Sequence, residues 1–180
     1  RDDTRHASVA RLWAELGDLD KALKLATSMS SPDVGFLAAG DICRVAGRYT
    51  EALGHYQKVV DAASGGRDMK QSKDRAQASI TAIKLVDTLD LKRVPNGSYR
   101  DASIGYSGQV NVEVSVAGGR ITVVKVTQHT EKQYYSAITD TARQIIAKQG
   151  AKGVDATSGA TITSEAILNA SLKALSKGQK

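Results

Sequence analysis

The sequence predicts an α+β chain in two parts. An N-terminal all-α helical-repeat module spans residues 1–91, and a small α+β domain with an antiparallel sheet spans 95–180. Three observations carry this. The segments Leu16-Gly17-Asp18-Leu19-Asp20-Lys21-Ala22-Leu23 and Ala46-Gly47-Arg48-Tyr49-Thr50-Glu51-Ala52-Leu53 read alike, with their glycines 30 residues apart. Val110, Val112, Val114 and Val116 alternate with Asn111, Glu113 and Ser115, the pattern of a strand with one buried face. Between these regions Val94-Pro95-Asn96-Gly97 is dense in breakers and marks a boundary.

The 180 residues are 41% hydrophobic and 24% charged, which excludes a disordered chain. Aromatics make up only 4%, so each core must be built from Leu, Val, Ile and Ala. The net charge of +6 raises nucleic acid as a partner. The Lys and Arg residues are scattered, however, without a dense cluster among aromatics, so the excess reads as solvated surface and no nucleic-acid role is expected. Cys43 is alone, which excludes an intrachain disulfide and a Cys-based metal site; beside Ile42 and Val45 it reads as a buried thiol. The three histidines show no ligand spacing, so no metal is expected. No signal peptide or apolar run of spanning length is present, so direct membrane insertion of this segment is not expected. The chain opens on Arg1 without a methionine, which implies a processed product or a piece of a longer chain.

In the first half, each repeated segment closes one helix with glycine and opens another with an Ala-Leu pair. Trp13, Leu16, Leu23 and Leu25 are expected to line the first helix pair, and Ile42, Tyr49, Leu53, Tyr56 and Val60 the second. Ser31-Pro32-Asp33 stops and restarts the chain, while Gly35 and Gly40 depart from good helix usage. This plan resembles the tetratricopeptide repeat. A third helix, about residues 70–87 with Ala76, Ile80, Ile83 and Val86 inward, reads as a cap on the stack.

In the second half, Gly97 and Tyr99 open a strand that leads to the turn Ile104-Gly105-Tyr106-Ser107-Gly108. Gly118-Gly119 suits a tight hairpin, and the return strand is expected to bulge where Val123 and Val124 adjoin. A polar loop from His129 precedes a helix at 136–149 with Ile138, Ala142, Ile145 and Ile146 inward. The last helix is expected from Ala166, with Leu168, Leu172 and Leu175 at helical spacing and Thr163 or Ser164 as its N-cap.

Ahead of that helix the chain reads Asp155-Ala156-Thr157-Ser158-Gly159-Ala160-Thr161, a small-residue loop feeding a helix N-terminus and so suited to an anion. The stretch resembles the flavinylation motif Asp-x-x-(Ser/Thr)-Gly-Ala-Thr of the FMN-binding domain family. That family includes the flavin subunits of Na+-translocating NADH:quinone reductase and of Rnf-type electron-transfer complexes. The resemblance covers about residues 95–175. It implies FMN joined covalently through its phosphate to Thr161 by a flavin transferase, the partner needed for maturation. Asp155 would shape the loop and be recognised, and Ser158, Gly159 and Ala160 would keep it accessible. The helix start at Thr163 and Ser164 would hold the phosphate. Gly105 and Gly108 would let a flat ligand approach, with Tyr99 or Tyr106 against the ring. His129 and Glu131 fall where the family places residues near the isoalloxazine, and Tyr134 and Tyr135 follow them.

The function so implied is a one- or two-electron carrier serving a redox partner protein or neighbouring domains of a longer chain, rather than a substrate-converting enzyme. A Ser158, His129 and Asp155 triad has no nucleophile elbow to support it. Because the family's transferases commonly act outside the cytoplasm in bacteria, a periplasmic or extracellular setting follows. The alternative is a helical-repeat interaction adaptor with no flavin, or with flavin only loosely bound.

Overall fold

A computed structural model describes residues 2–65, 68–132, 135–156 and 159–179. The chain divides into two compact units, Arg1–Ile80 and Thr81–Lys180.

The first unit holds α1 (Asp2–Glu15), α2 (Leu19–Thr27), α3 (Pro32–Val45), α4 (Tyr49–Asp61) and the beginning of α5 (Met69–Thr88). Thirty residues separate the starts of α1 and α3, and thirty separate their ends. Gly17 and Gly47 follow these helices with φ of +89° and +73°, a left-handed conformation that strains any side-chain-bearing residue. Asp18 then caps α2 by accepting from the Lys21 N–H at 3.1 Å. Ala7, Ala10, Ala22, Ala26, Ala38 and Ala39 are buried where α1, α2 and α3 meet, and Trp13, Leu23 and Leu25 pack around them. Leu16 does not join this core: it is 68% exposed, because α1 ends at Glu15 and the glycine turn carries Leu16 off the helical spacing.

The glycines that weaken the helical reading of α3 have a packing reason. A Cβ on Gly40 would sit 2.5 Å from the Tyr56 ring, so α3 and α4 approach through the missing side chain. Tyr56 is fully buried, and its hydroxyl donates to Asp41 Oδ1 at 3.0 Å. The other oxygen of Asp41 receives Arg11 of α1 at 2.7 Å and Arg75 of α5 at 3.5 Å. One buried carboxylate thus links four helices. Next to this hub, Cys43 is fully buried as expected, and burial pushes its thiol above the usual range.

The second unit contains the rest of α5, a 3-10 turn Leu91–Arg93, and β1 (Gly97–Ile104), β2 (Gln109–Ala117) and β3 (Arg120–Gln128). It closes with α6 (Tyr135–Lys148) and α7 (Thr161–Gly178). The three strands form an antiparallel sheet in the order β1-β2-β3. Val110, Val112, Val114 and Val116 all face inward as the alternation requires, against Ile145, Ala166, Ile167, Ala170 and Leu175. Gly118 and Gly119 adopt φ of +58° and +71°, matching the twist of the hairpin they join.

The bulge lies elsewhere than at Val123 and Val124, which pair regularly with Ser115 and Val114. The register shifts skip Thr122 and Thr127 instead. Their hydroxyls donate to the Ser115 and Asn111 carbonyls at 3.2 and 3.4 Å, so the extra residues regain a bond to the neighbouring strand. The shift at Thr122 is what brings both Ile121 and Val124 to the buried face.

α7 packs on β1 and β2, and α6 on β3 and α7. The free edge of β1 is covered by lysines from α7. Lys173 and Lys177 donate to the Ala102 and Arg100 carbonyls at 2.7 and 3.0 Å and both pair with Asp101. Burial opposes ionisation of Asp101. The Ala102 N–H and the two ammonium groups outweigh it, and the carboxyl titrates below its usual 3.8. Its stabilising contribution is therefore complete above about pH 4 and is lost as pH falls through the lower folded value. Asp101→Asn is expected to flatten the acid limb of thermal stability while leaving its slope between pH 6 and 8 unchanged (melting temperature against pH). Among the described residues no helix is long and apolar enough to cross a membrane.

Candidate functional site

Three segments meet at one end of the sheet: the turn between β1 and β2, the loop after β3, and the start of α7. Their meeting point is Glu131, only 5% exposed. Glu131 Oε1 accepts from the Ser107 N–H at 3.0 Å, and Oε2 accepts from the Thr163 hydroxyl at 2.7 Å. The turn is closed by the Gly105 N–H donating to the Gly108 carbonyl at 2.7 Å.

The glycines here make room for the loop after β3. A Cβ on Gly105 would stand 2.5 Å from Glu131 Oε1, and one on Gly108 would collide with Thr130 Oγ1. Glu131, expected beside the isoalloxazine, spends both oxygens on protein partners. His129 is half-buried on the same loop. Tyr106 is 66% exposed at the tip of the turn.

Tyr99 does not belong to this site. Its hydroxyl donates to the Pro95 carbonyl at 2.7 Å, and its ring lies against Gly178 at the far end of α7. At 1.5 Å per residue, that end stands roughly 25 Å from Thr161. The sequence shows an aromatic beside a glycine, and only the antiparallel run of β1 along α7 reveals which end it serves.

The helix starts earlier than expected. α7 begins at Thr161 with Ala160 as its cap residue, rather than at Ala166 with Thr163 or Ser164 capping. Gly159, at φ +74°, makes the turn into it. Thr163 cannot cap, because its hydroxyl goes to Glu131, and the Ser164 N–H already donates to the Ala160 carbonyl at 3.0 Å. The Ser164 N–H is therefore already closed into the helix. Ala160 brings no side-chain acceptor to the first turn. Helix N-termini present leading amides and the positive end of the helix dipole, which favour an oxyanion. Thr161 stands at that point, 8% exposed.

Asp155 is anchored by its backbone. Gln144 of α6 accepts from its N–H at 2.8 Å and donates to its carbonyl at 3.1 Å. Its own carboxylate points outward, 81% exposed and 3.8 Å from the Lys148 ammonium. Nothing in the local sequence announces Gln144, whose partner lies 11 residues away. Ser158 and Tyr134 lie outside the described residues. Among the described residues no group of three or more His, Cys, Asp and Glu could hold a metal ion.

Known proteins bear on this geometry. The model of the FMN-binding domain family matches residues 105–176, from the glycine turn to the last turns of α7. The match supports an FMN-binding domain over those residues and flavin as its ligand. A protein of Treponema pallidum (strain Nichols), described as an uncharacterized protein, is 29% identical over 117 residues. That stretch is 64% of this chain and 32% of the Treponema protein, so the chain spans about a third of its relative. No solved structure matches.

Proposed function

We propose that the chain is an electron carrier holding FMN in phosphoester linkage to Thr161. The observation that carries this is a threonine at the first position of a helix whose cap residue supplies no acceptor, inside the stretch that matches the FMN-binding domain. In the attachment reaction Thr161 Oγ bonds to the phosphorus of the FMN half of a flavin dinucleotide. The pyrophosphate P–O bond breaks, a nucleoside monophosphate leaves, and the hydroxyl proton is released. The first turn of α7 would hold the phosphate, where the helix dipole favours its charge. Gly159 and Ala160 keep the approach narrow in side chains, and the outward carboxylate of Asp155 is positioned for recognition by the transferase. The bound isoalloxazine supplies one- or two-electron chemistry. His129 and Tyr106 are the side chains we assign to contact with the ring.

The helical unit, two hairpins of one tetratricopeptide-like plan, serves as the docking element for a redox partner or for further domains. The setting we infer is bacterial and outside the cytoplasm, where such transferases act.

Co-expression with a flavin transferase is expected to give yellow protein whose intact mass exceeds the chain by one FMN less water. Thr161→Ala is expected to lose all flavin that survives denaturation. Denaturation-resistant flavin on Thr161→Ala overturns the assignment to Thr161. A parent chain that stays colourless beside an active transferase favours the adaptor reading instead.

A further inference from the structure

We propose that Glu131 and Thr163 form a latch that controls access to Thr161; this rests on the attachment reading above. A hydroxyl that must enter another enzyme's active site has to leave the protein surface. Thr161 is instead 8% exposed, and past the half-buried Ile162 the chain is more deeply buried, Thr163 at 3% and Ser164 at 0%. The folded start of α7 therefore withholds the group to be modified, and the first turn must part from the body before transfer.

The structure shows what holds that turn. The Thr163 hydroxyl donates to Glu131 Oε2 at 2.7 Å, a bond to a carboxylate in a buried setting. Glu131 is itself fixed by the Ser107 N–H on Oε1, so the turn is tied to the sheet end and not to a loose side chain. Gly105 leaves the room that the carboxylate occupies, since a Cβ there would fall 2.5 Å from Oε1. Gly159, in the left-handed region, lies just before the turn, where a change of backbone direction is least costly. Glu131 and Thr163 are thus positioning residues. They keep Thr161 folded in, and re-forming their bond after attachment returns the linkage to a buried helix start.

Thr163→Val keeps the shape of the side chain and deletes the donor. Hydrogen bonds to charged groups correspond to about a ten- to hundredfold change in an opening equilibrium. Hydrogen exchange of the flavin-free protein is expected to quicken about that much at the amides of Ser164 and Glu165, with α6 and the sheet unchanged. Single-turnover flavin transfer, followed by intact mass, is expected to quicken as well. Thr163→Ser, which restores the hydroxyl, is expected to return both rates to the parent values. Unchanged exchange in Thr163→Val, or faster exchange with transfer no faster than in the parent, overturns the latch while leaving Thr161 attachment standing. Faster exchange with no flavin taken up by parent or variant overturns the attachment reading, and with it the latch as a control of access. Should Thr163→Val fail to fold by circular dichroism, Thr163→Ala, which also deletes the hydroxyl, decides the same question with the same two rates.

Discussion

Asp41→Ala is expected to destabilise the helical unit by about 3 kcal/mol, the low end of the cost of leaving buried charges unpaired. Asp41 has no exposed side-chain surface and receives Arg11, Arg75 and the Tyr56 hydroxyl. Alanine removes the acceptor for all three and leaves two guanidinium groups facing each other across a cavity. The Arg11 and Arg75 side chains retain 17% and 13% exposure, so water can solvate them in part, which keeps the loss from reaching the top of the range. Trp13 is the one tryptophan of the chain and lies on α1, packed against the buried alanines with the Lys21 ammonium over its ring. Its fluorescence in a urea titration therefore reads this unit directly. Asp41→Asn, which keeps an oxygen and the volume, is expected to lose less. A shift below about 1 kcal/mol in Asp41→Ala would place the pair among surface-like interactions and refute the hub.

Gly105→Ala is expected to destabilise the second unit by about 1–3 kcal/mol, the usual range for forcing one methyl into filled space. The new Cβ would lie 2.5 Å from Glu131 Oε1 and 2.9 Å from Val110 Cγ2. Neither neighbour can yield easily. Val110 is fully buried in the sheet core, and the Glu131 carboxylate is held from both sides. Relief requires the carboxylate to give up Ser107 or Thr163, so the same methyl that lowers stability also loosens the start of α7. Thermal melting followed by circular dichroism checks the first effect. Flavin uptake by Gly105→Ala then separates the glycine's steric role from any contact with a ring, because only the former loosens the helix while leaving the ring's surroundings free.

Much of the fold was legible because it is written in local periodicity. The valine alternation of β2, the paired glycines of the hairpin and the apolar spacing of α6 and α7 each depend on neighbours a few residues away. The thirty-residue recurrence likewise showed the helical hairpins. What could not be read depends on partners distant in sequence. Thr163 looks like an N-cap until Glu131, 32 residues earlier, takes its hydroxyl. Gln149 looks like a surface residue, yet at φ +54° its amide accepts from the Ile121 N–H at 2.8 Å and donates to the Ile121 carbonyl at 2.9 Å. Thr122 rather than Val123 carries the bulge because its hydroxyl can reach the neighbouring strand, and hydrophobic pattern is silent about that. Of the candidate site, the loop leading to Thr161 stands out in the sequence through its small residues, whereas no local pattern encodes the direction of α7 over the sheet, which sets Tyr99 against Gly178.

Arg11 and Asp41 are separated by the same thirty residues that relate α1 to α3, so they occupy one place in two successive hairpins. Equivalent positions thus carry opposite charge and meet. A hairpin stacked on a copy of itself would set arginine against arginine or aspartate against aspartate, and burying like charges is costly. The two hairpins are therefore not interchangeable bricks. The order in which they stack is specified by sign, and that polarity protects the module from slipping by one repeat or from growing by addition of its own kind.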